Sequence, residues 1–141
     1  MASWPYWTSG LALLAGAGMG LWGLLNPRWA ADLVRLQESP AKPGGFAEFR
    51  GTYGGLFLAS HGVALASFAA RLHGGDPTLA SLAPGAVAAC AAMWLGTAVG
   101  RVLSMVRDGT GTKYNQASVL FEIGLGLAIL APLLVHRGAF H

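Results

Sequence analysis

Apolar residues fall in four long blocks, over residues 6–25, 46–70, 84–105 and 117–135, and most of the charged residues lie in the short segments between them. A helix needs about 20 apolar residues to cross the hydrocarbon core of a bilayer, and each block is close to or above that length. The pattern predicts an all-α polytopic membrane protein, a four-transmembrane-helix bundle forming a single domain over residues 1–141, with a short interfacial helix after span one. The first block opens Met1-Ala2-Ser3-Trp4-Pro5-Tyr6-Trp7, without the basic residues that start a secretory signal, and no small-residue cleavage pattern precedes Asn26-Pro27. It is read as a retained span.

Asn26 is placed to cap the interfacial helix, with Pro27 in its first turn and an end near Leu36. Trp29, Leu33 and Leu36 share its apolar face and Arg28, Asp32 and Arg35 its polar one, the pattern of a helix lying on the membrane surface. Ser39-Pro40-Ala41-Lys42-Pro43-Gly44-Gly45 reads as a turn. Asp76 followed by Pro77 restarts the chain after the second block, Pro84 begins or kinks the third span, and Asn115 is placed as the N-cap of the fourth, which carries Pro132 near its outer end. The string Asp108-Gly109-Thr110-Gly111-Thr112-Lys113 lacks both the spacing of a phosphate loop and the alternating acidic ligands of a calcium loop.

Composition sharpens the membrane reading. Charged residues make up 11% of the chain against about a quarter in soluble domains, while 54% are hydrophobic. The single cysteine, Cys90, lies mid-span, which excludes a disulfide framework within the chain and leaves a small buried apolar residue. The formal charge is +3, but its basic residues are scattered over the connections, so no nucleic-acid partner is expected. Arg28, Arg35 and Lys42 in the first connection and Arg107 and Lys113 in the third outweigh Arg71 in the second and Arg137 in the tail. By the positive-inside rule the first and third connections face the cytoplasm and both termini lie outside. Glycine pairs four residues apart, Gly16 with Gly20, Gly51 with Gly55 and Gly96 with Gly100, predict close helix packing.

Four charged residues break the apolar blocks or their edges: Glu48 and Arg50 near the start of span two, Arg101 near the end of span three and Glu122 in the opening turns of span four. Antiparallel spans bring all four to one depth as a neutral layer, with interhelical pairs linking Glu48 or Glu122 to Arg50 or Arg101. An α-helical wheel puts Arg50, Tyr53, Phe57 and His61 on one stripe. Glu48, Arg50, Tyr53, Arg101 and Glu122 are therefore the candidate ligand-binding residues, with the arginines suited to a phosphate or carboxylate. Two carboxylates beside a phenol would also suit acid–base chemistry, but no nucleophile with an adjacent base, metal cluster or nucleotide motif accompanies them. No catalytic residue, metal ligand or cofactor is assigned. His61 is read as a hydrogen-bonded core residue, because His73, His136 and His141 lie at the far ends of the spans. Trp4, Trp7, Trp22 and Trp29 are read as interface anchors.

Glu48-Phe49-Arg50-x-x-Tyr53-Gly54-Gly55, then Trp94-Leu95-Gly96-x-Ala98-x-Gly100-Arg101, then Asp108-Gly109 and Glu122, resembles a family of small four-helix bacterial membrane proteins of unassigned function. The resemblance spans most of the chain and implies a location in the bacterial inner membrane. It departs from the family pattern after Asp108-Gly109, where Thr110 stands in place of an expected proline. Two functions are carried forward. One is a bundle that binds a membrane lipid or similar amphipathic molecule at the charged layer. The other is an accessory or assembly subunit, packed against other membrane chains or a second copy of itself, with the charges as an ion-pair lock. The glutamates lie near one surface and not at the midplane, where transporter sites sit, so export ranks below both.

Overall fold

The four blocks form helices long and apolar enough to cross a membrane, over Trp4–Leu25, Gly45–His73, Ala83–Arg107 and Lys113–Val135. The computed structural model describes residues 4–41 and 44–135. Lys42, His136, Arg137 and His141, used above in the charge and histidine arguments, lie outside the described residues. In chain order the elements are α1 (Trp4–Leu25), α2 (Pro27–Val34), α3 (Gly45–Glu48), a π-helical segment (Phe49–Leu56), α4 (Phe57–His73), α5 (Pro77–Ser81), α6 (Ala83–Arg107) and α7 (Lys113–Val135). α3, the π segment and α4 run on as the second span.

The spans form a four-cornered ring in which α1 packs against α4 and α7, and α6 against the same two. Leu13, Phe68, Val87, Cys90 and Ile129 fill the middle of the bundle. Pro132, which has no N–H to give the Ala128 carbonyl, interrupts the α7 ladder, and at the neighbouring carbonyl the buried Ser9 hydroxyl donates to Ile129 at 2.8 Å. Polar side chains so placed tie helices together where lipid offers no hydrogen-bond partner.

Local capping follows the sequence in most places. Asn26 accepts from the Trp29 amide and Asp76 from the Leu79 amide, and both helices carry proline in the first turn. α7 is the exception: it starts at Lys113, and the Thr112 hydroxyl accepts from the Asn115 amide, so Asn115 is not the cap. Its side chain is thereby released for the site described below.

Two further expectations are corrected. Of the glycine pairs, Gly16 and Gly20 do sit at a helix contact, but among the described residues a Cβ on Gly51, Gly96 or Gly100 would meet no neighbouring atom within 4 Å. The close approach runs instead through Gly20 and Gly23 of α1 against the second span and through Gly54 against Leu24. The start of the second span is not α-helical either, since Phe49–Leu56 adopts the π pattern. The i→i+5 bonding of a π-helix uses more residues per turn, which rotates Arg50 away from the stripe it would share with Tyr53 and Phe57 in an α-helix.

Candidate functional site

The charge layer lies at the end of the bundle where α1 and α6 finish and the second span and α7 begin. Antiparallel spans dictate this, and it places the basic connections at one end. At its centre Arg101 and Glu122 form the expected interhelical pair: Nε donates to both carboxylate oxygens at 3.0 and 3.2 Å, and Nη2 to Oε1 at 2.6 Å. The Glu122 side chain is only 5% exposed and that of Arg101 28%, so the planar fork answers a carboxylate that has little water.

Glu48 and Arg50 do not join the pair. Glu48 is exposed and makes no ion pair or side-chain hydrogen bond to another described residue. Arg50 is also exposed, and its Nη1 donates to the Leu24 carbonyl. Leu24 is one residue from the end of α1, where carbonyls lack intrahelical partners, so Arg50 caps that helix. Tyr53 is half-buried and stacks on Phe49, with ring centroids 5.8 Å apart.

Three residues absent from the candidate set complete the network. Arg101 Nη1 donates to Asn115 Oδ1 at 3.2 Å, and Arg35 Nη2 donates to the same oxygen. Asn115 Nδ2 in turn donates to the Thr110 carbonyl at 2.7 Å, which orients the carboxamide with its oxygen toward both guanidiniums. Arg35 also lies over the Tyr114 ring, 4.4 Å from its centroid, and the Tyr114 hydroxyl donates to the Leu33 carbonyl at 2.7 Å. Arg35 ends α2 with φ 58°, a left-handed conformation usually given to glycine. For another residue that costs on the order of 1 kcal/mol, and the two side-chain contacts to α7 hold it there. Asn115 had a sequence signal as a polar residue at a span start, but its role depends on the cap moving to Thr112. Arg35 had none beyond its charge.

α2 covers this end of the bundle. Ala30 and Ala31 are buried against Phe49 of the second span. Trp29 and Leu33, expected on a face turned to the membrane, roof a cavity of about 340 Å³ instead. Tyr53, Arg101 and Glu122 lie on its wall and Trp94 and Phe57 farther in, whereas Glu48 and Arg50 do not line it. Leu33, Leu36, Tyr114 and Phe121 both line the cavity and are exposed on the surface, so it opens between α2 and α7.

Deeper in, His61 is fully buried. The Trp94 indole N–H donates to its Nε2 at 3.0 Å, and its Nδ1 faces the Phe57 carbonyl at 2.9 Å. An indole can only donate and a carbonyl can only accept, so the ring is neutral with its proton on Nδ1. The core-histidine reading holds for this residue. Trp94→Phe is expected to leave His61 Nε2 without a donor and to cost about 1–3 kcal/mol. Thermal unfolding in detergent would show it as a lowered midpoint, and an unchanged midpoint would mean that the Trp94 bond contributes nothing.

The fold and site define a class: a four-span helical membrane protein with a cavity at one end, roofed by an amphipathic helix and carrying on its wall an Arg–Glu pair whose carboxylate is buried. The chain belongs to the family described as Domain of unknown function (DUF4345), which matches residues 6–133. No curated relative and no solved structure matches it.

Proposed function

We propose that the protein binds an amphipathic, lipid-like molecule in the cavity beneath α2, its head at Arg101, Tyr53 and Glu122 and its tail along the apolar wall. The observation that carries this reading is the combination of a wall made largely of Trp29, Leu33, Phe57 and Trp94 with an ionised pair on the same surface. Such a surface, mostly apolar with a few convergent polar groups, is the usual makeup of a small-molecule site. Arg28, Arg35, Arg107 and Lys113 gather at this end of the bundle, which supports a cytoplasmic placement of the first and third connections, a site in the inner leaflet and both termini outside, in a bacterial inner membrane. Glu48 and Arg50 fall outside the proposed site.

Native mass spectrometry with lipid extraction on gently solubilised protein tests the proposal. A bound amphiphile is expected on the wild type and is expected to be lost from folded Ser118→Trp, which fills the cavity from α7. Equal retention by the two proteins would place the ligand elsewhere, and its absence from both would end the reading.

A second reading, an accessory subunit in a larger membrane assembly or a homo-oligomer, draws support from α6. A Cβ on Gly96 or Gly100 would meet no neighbour within 4 Å among the described residues, and Val99 and Val106 on the same helix are 69% and 78% exposed. That reading predicts co-purifying partner chains that are lost from Gly100→Leu.

A further inference from the structure

The charged part of the cavity wall's spare hydrogen-bonding capacity is donor capacity, and it belongs to Arg101. A guanidinium carries five N–H groups. In Arg101, Nε–H and one N–H of Nη2 go to Glu122 and one N–H of Nη1 goes to Asn115, which leaves two N–H groups with no acceptor among the described residues. The Tyr53 hydroxyl, on the same wall, makes no hydrogen bond to another described residue. Both Glu122 oxygens already accept from Arg101, and the Thr97 and Ser118 hydroxyls donate back to their own helices, so those two keep only neutral acceptor oxygens for a ligand.

Charge points the same way. Arg35 and Arg101 converge on the neutral Asn115 Oδ1, and among the described residues Glu122 is the one carboxylate in their shared network. Two guanidiniums against one carboxylate leave the network with a net positive charge. α7 begins beside it at Lys113, and the positive end of its dipole adds to that field. A cationic head would meet spare donors and like charge, and a zwitterionic head would bring a like charge in beside its anion. An oxyanion would satisfy both, through the short charge-assisted bonds that an arginine fork makes.

Size limits the rest of the ligand. At about 340 Å³ the cavity is near the bottom of the range for small-molecule sites, about 300–1,000 Å³, so it holds a head and the first part of a chain, and not two chains. The exposed apolar residues at its mouth, Leu33, Leu36 and Phe121, give the remainder of one chain a path to lipid.

We infer that the cavity takes a single-chain amphiphile whose head is a bare oxyanion, a carboxylate or a phosphate monoester, bound by the unengaged N–H groups of Arg101 and the Tyr53 hydroxyl. The inference rests on the amphiphile-binding reading above and narrows it. Arg35 acts at a distance, supplying the second positive charge and holding Asn115.

The test is competitive retention in native mass spectrometry, from a neutral detergent, of palmitate, hexadecyl phosphate, hexadecylphosphocholine and inorganic phosphate. Wild type is expected to retain the two anionic amphiphiles about tenfold better than the phosphocholine, the effect of one charge-assisted hydrogen bond. Tyr53→Phe and Arg35→Gln, both at positions without a buried ionic role, are expected to fold and to lose most of that preference. Equal retention of anionic and zwitterionic probes would overturn the head-group inference and leave amphiphile binding standing. Retention of none of the amphiphiles by folded wild type would overturn both. Inorganic phosphate bound as tightly as hexadecyl phosphate would overturn the single-chain assignment, and a preference unchanged in both variants would overturn the roles of Tyr53 and Arg35.

Discussion

Arg101→Ala is expected to lower stability by about 3 kcal/mol, more than removing the whole ion pair does. The reason lies in what is left behind. Glu122 takes three hydrogen bonds from Arg101 and its side chain is 5% exposed, so truncating the arginine strands a carboxylate with little water to solvate it. The estimate sits at the lower end of the range for breaking a buried pair, because Arg101 itself is 28% exposed and water can reach part of the site. Arg101→Met combined with Glu122→Leu removes both charges and fills the volume, so the double variant is expected to be more stable than Arg101→Ala. Arg101→Lys keeps the charge but loses the fork, and should fall between wild type and alanine. Unfolding midpoints in mixed micelles rank these proteins. A double variant less stable than the single would show that the pair contributes more than it costs to bury.

Gly20→Ala and Gly54→Ala are the other changes expected to be severe, about 1–3 kcal/mol each. A Cβ on Gly20 would come within 2.8 Å of Leu58 Cα, and one on Gly54 within 2.6 Å of the Leu24 nitrogen. Both obstacles are backbone, which no rotamer change relieves, so α1 and the second span must separate. That separation also moves Met19 away from Tyr53 and Phe57 across the cavity, and ligand retention should fall with stability. Gly96→Ala and Gly100→Ala are the controls, since neither added methyl meets a neighbouring atom within 4 Å among the described residues. In a helix interior those two are expected to be neutral or to gain up to about 1 kcal/mol from propensity. Indistinguishable midpoints for Gly20→Ala and Gly96→Ala would contradict the close approach of α1 to the second span.

Part of the site was legible in the chain. Arg101 and Glu122 pair as expected because each is an isolated charge in an apolar block at the same end of antiparallel spans, and lipid leaves them few alternatives. The same argument misplaced Glu48 and Arg50. These sit where the second span emerges, close enough to the end of α1 for Arg50 to find the Leu24 carbonyl, and the π segment turns Arg50 off the stripe it would share with Tyr53 and Phe57. In the sequence Arg35 and Asn115 present only a surface charge and a cap. Their meeting depends on α2 folding back over the bundle and on a left-handed residue at its end, neither of which has a local pattern to announce it.

Sequence alone determined the number and extent of the spans, their alternation, and the gathering of charge at one end, because apolar length and the position of polar residues are properties of a single segment in its solvent. The tertiary structure decided which glycines meet a neighbour, which charges find a partner, and that the amphipathic helix roofs a cavity. Those outcomes depend on the rotation of each helix about its own axis and on how closely backbones approach. Contacts between segments set both, and no single segment encodes them.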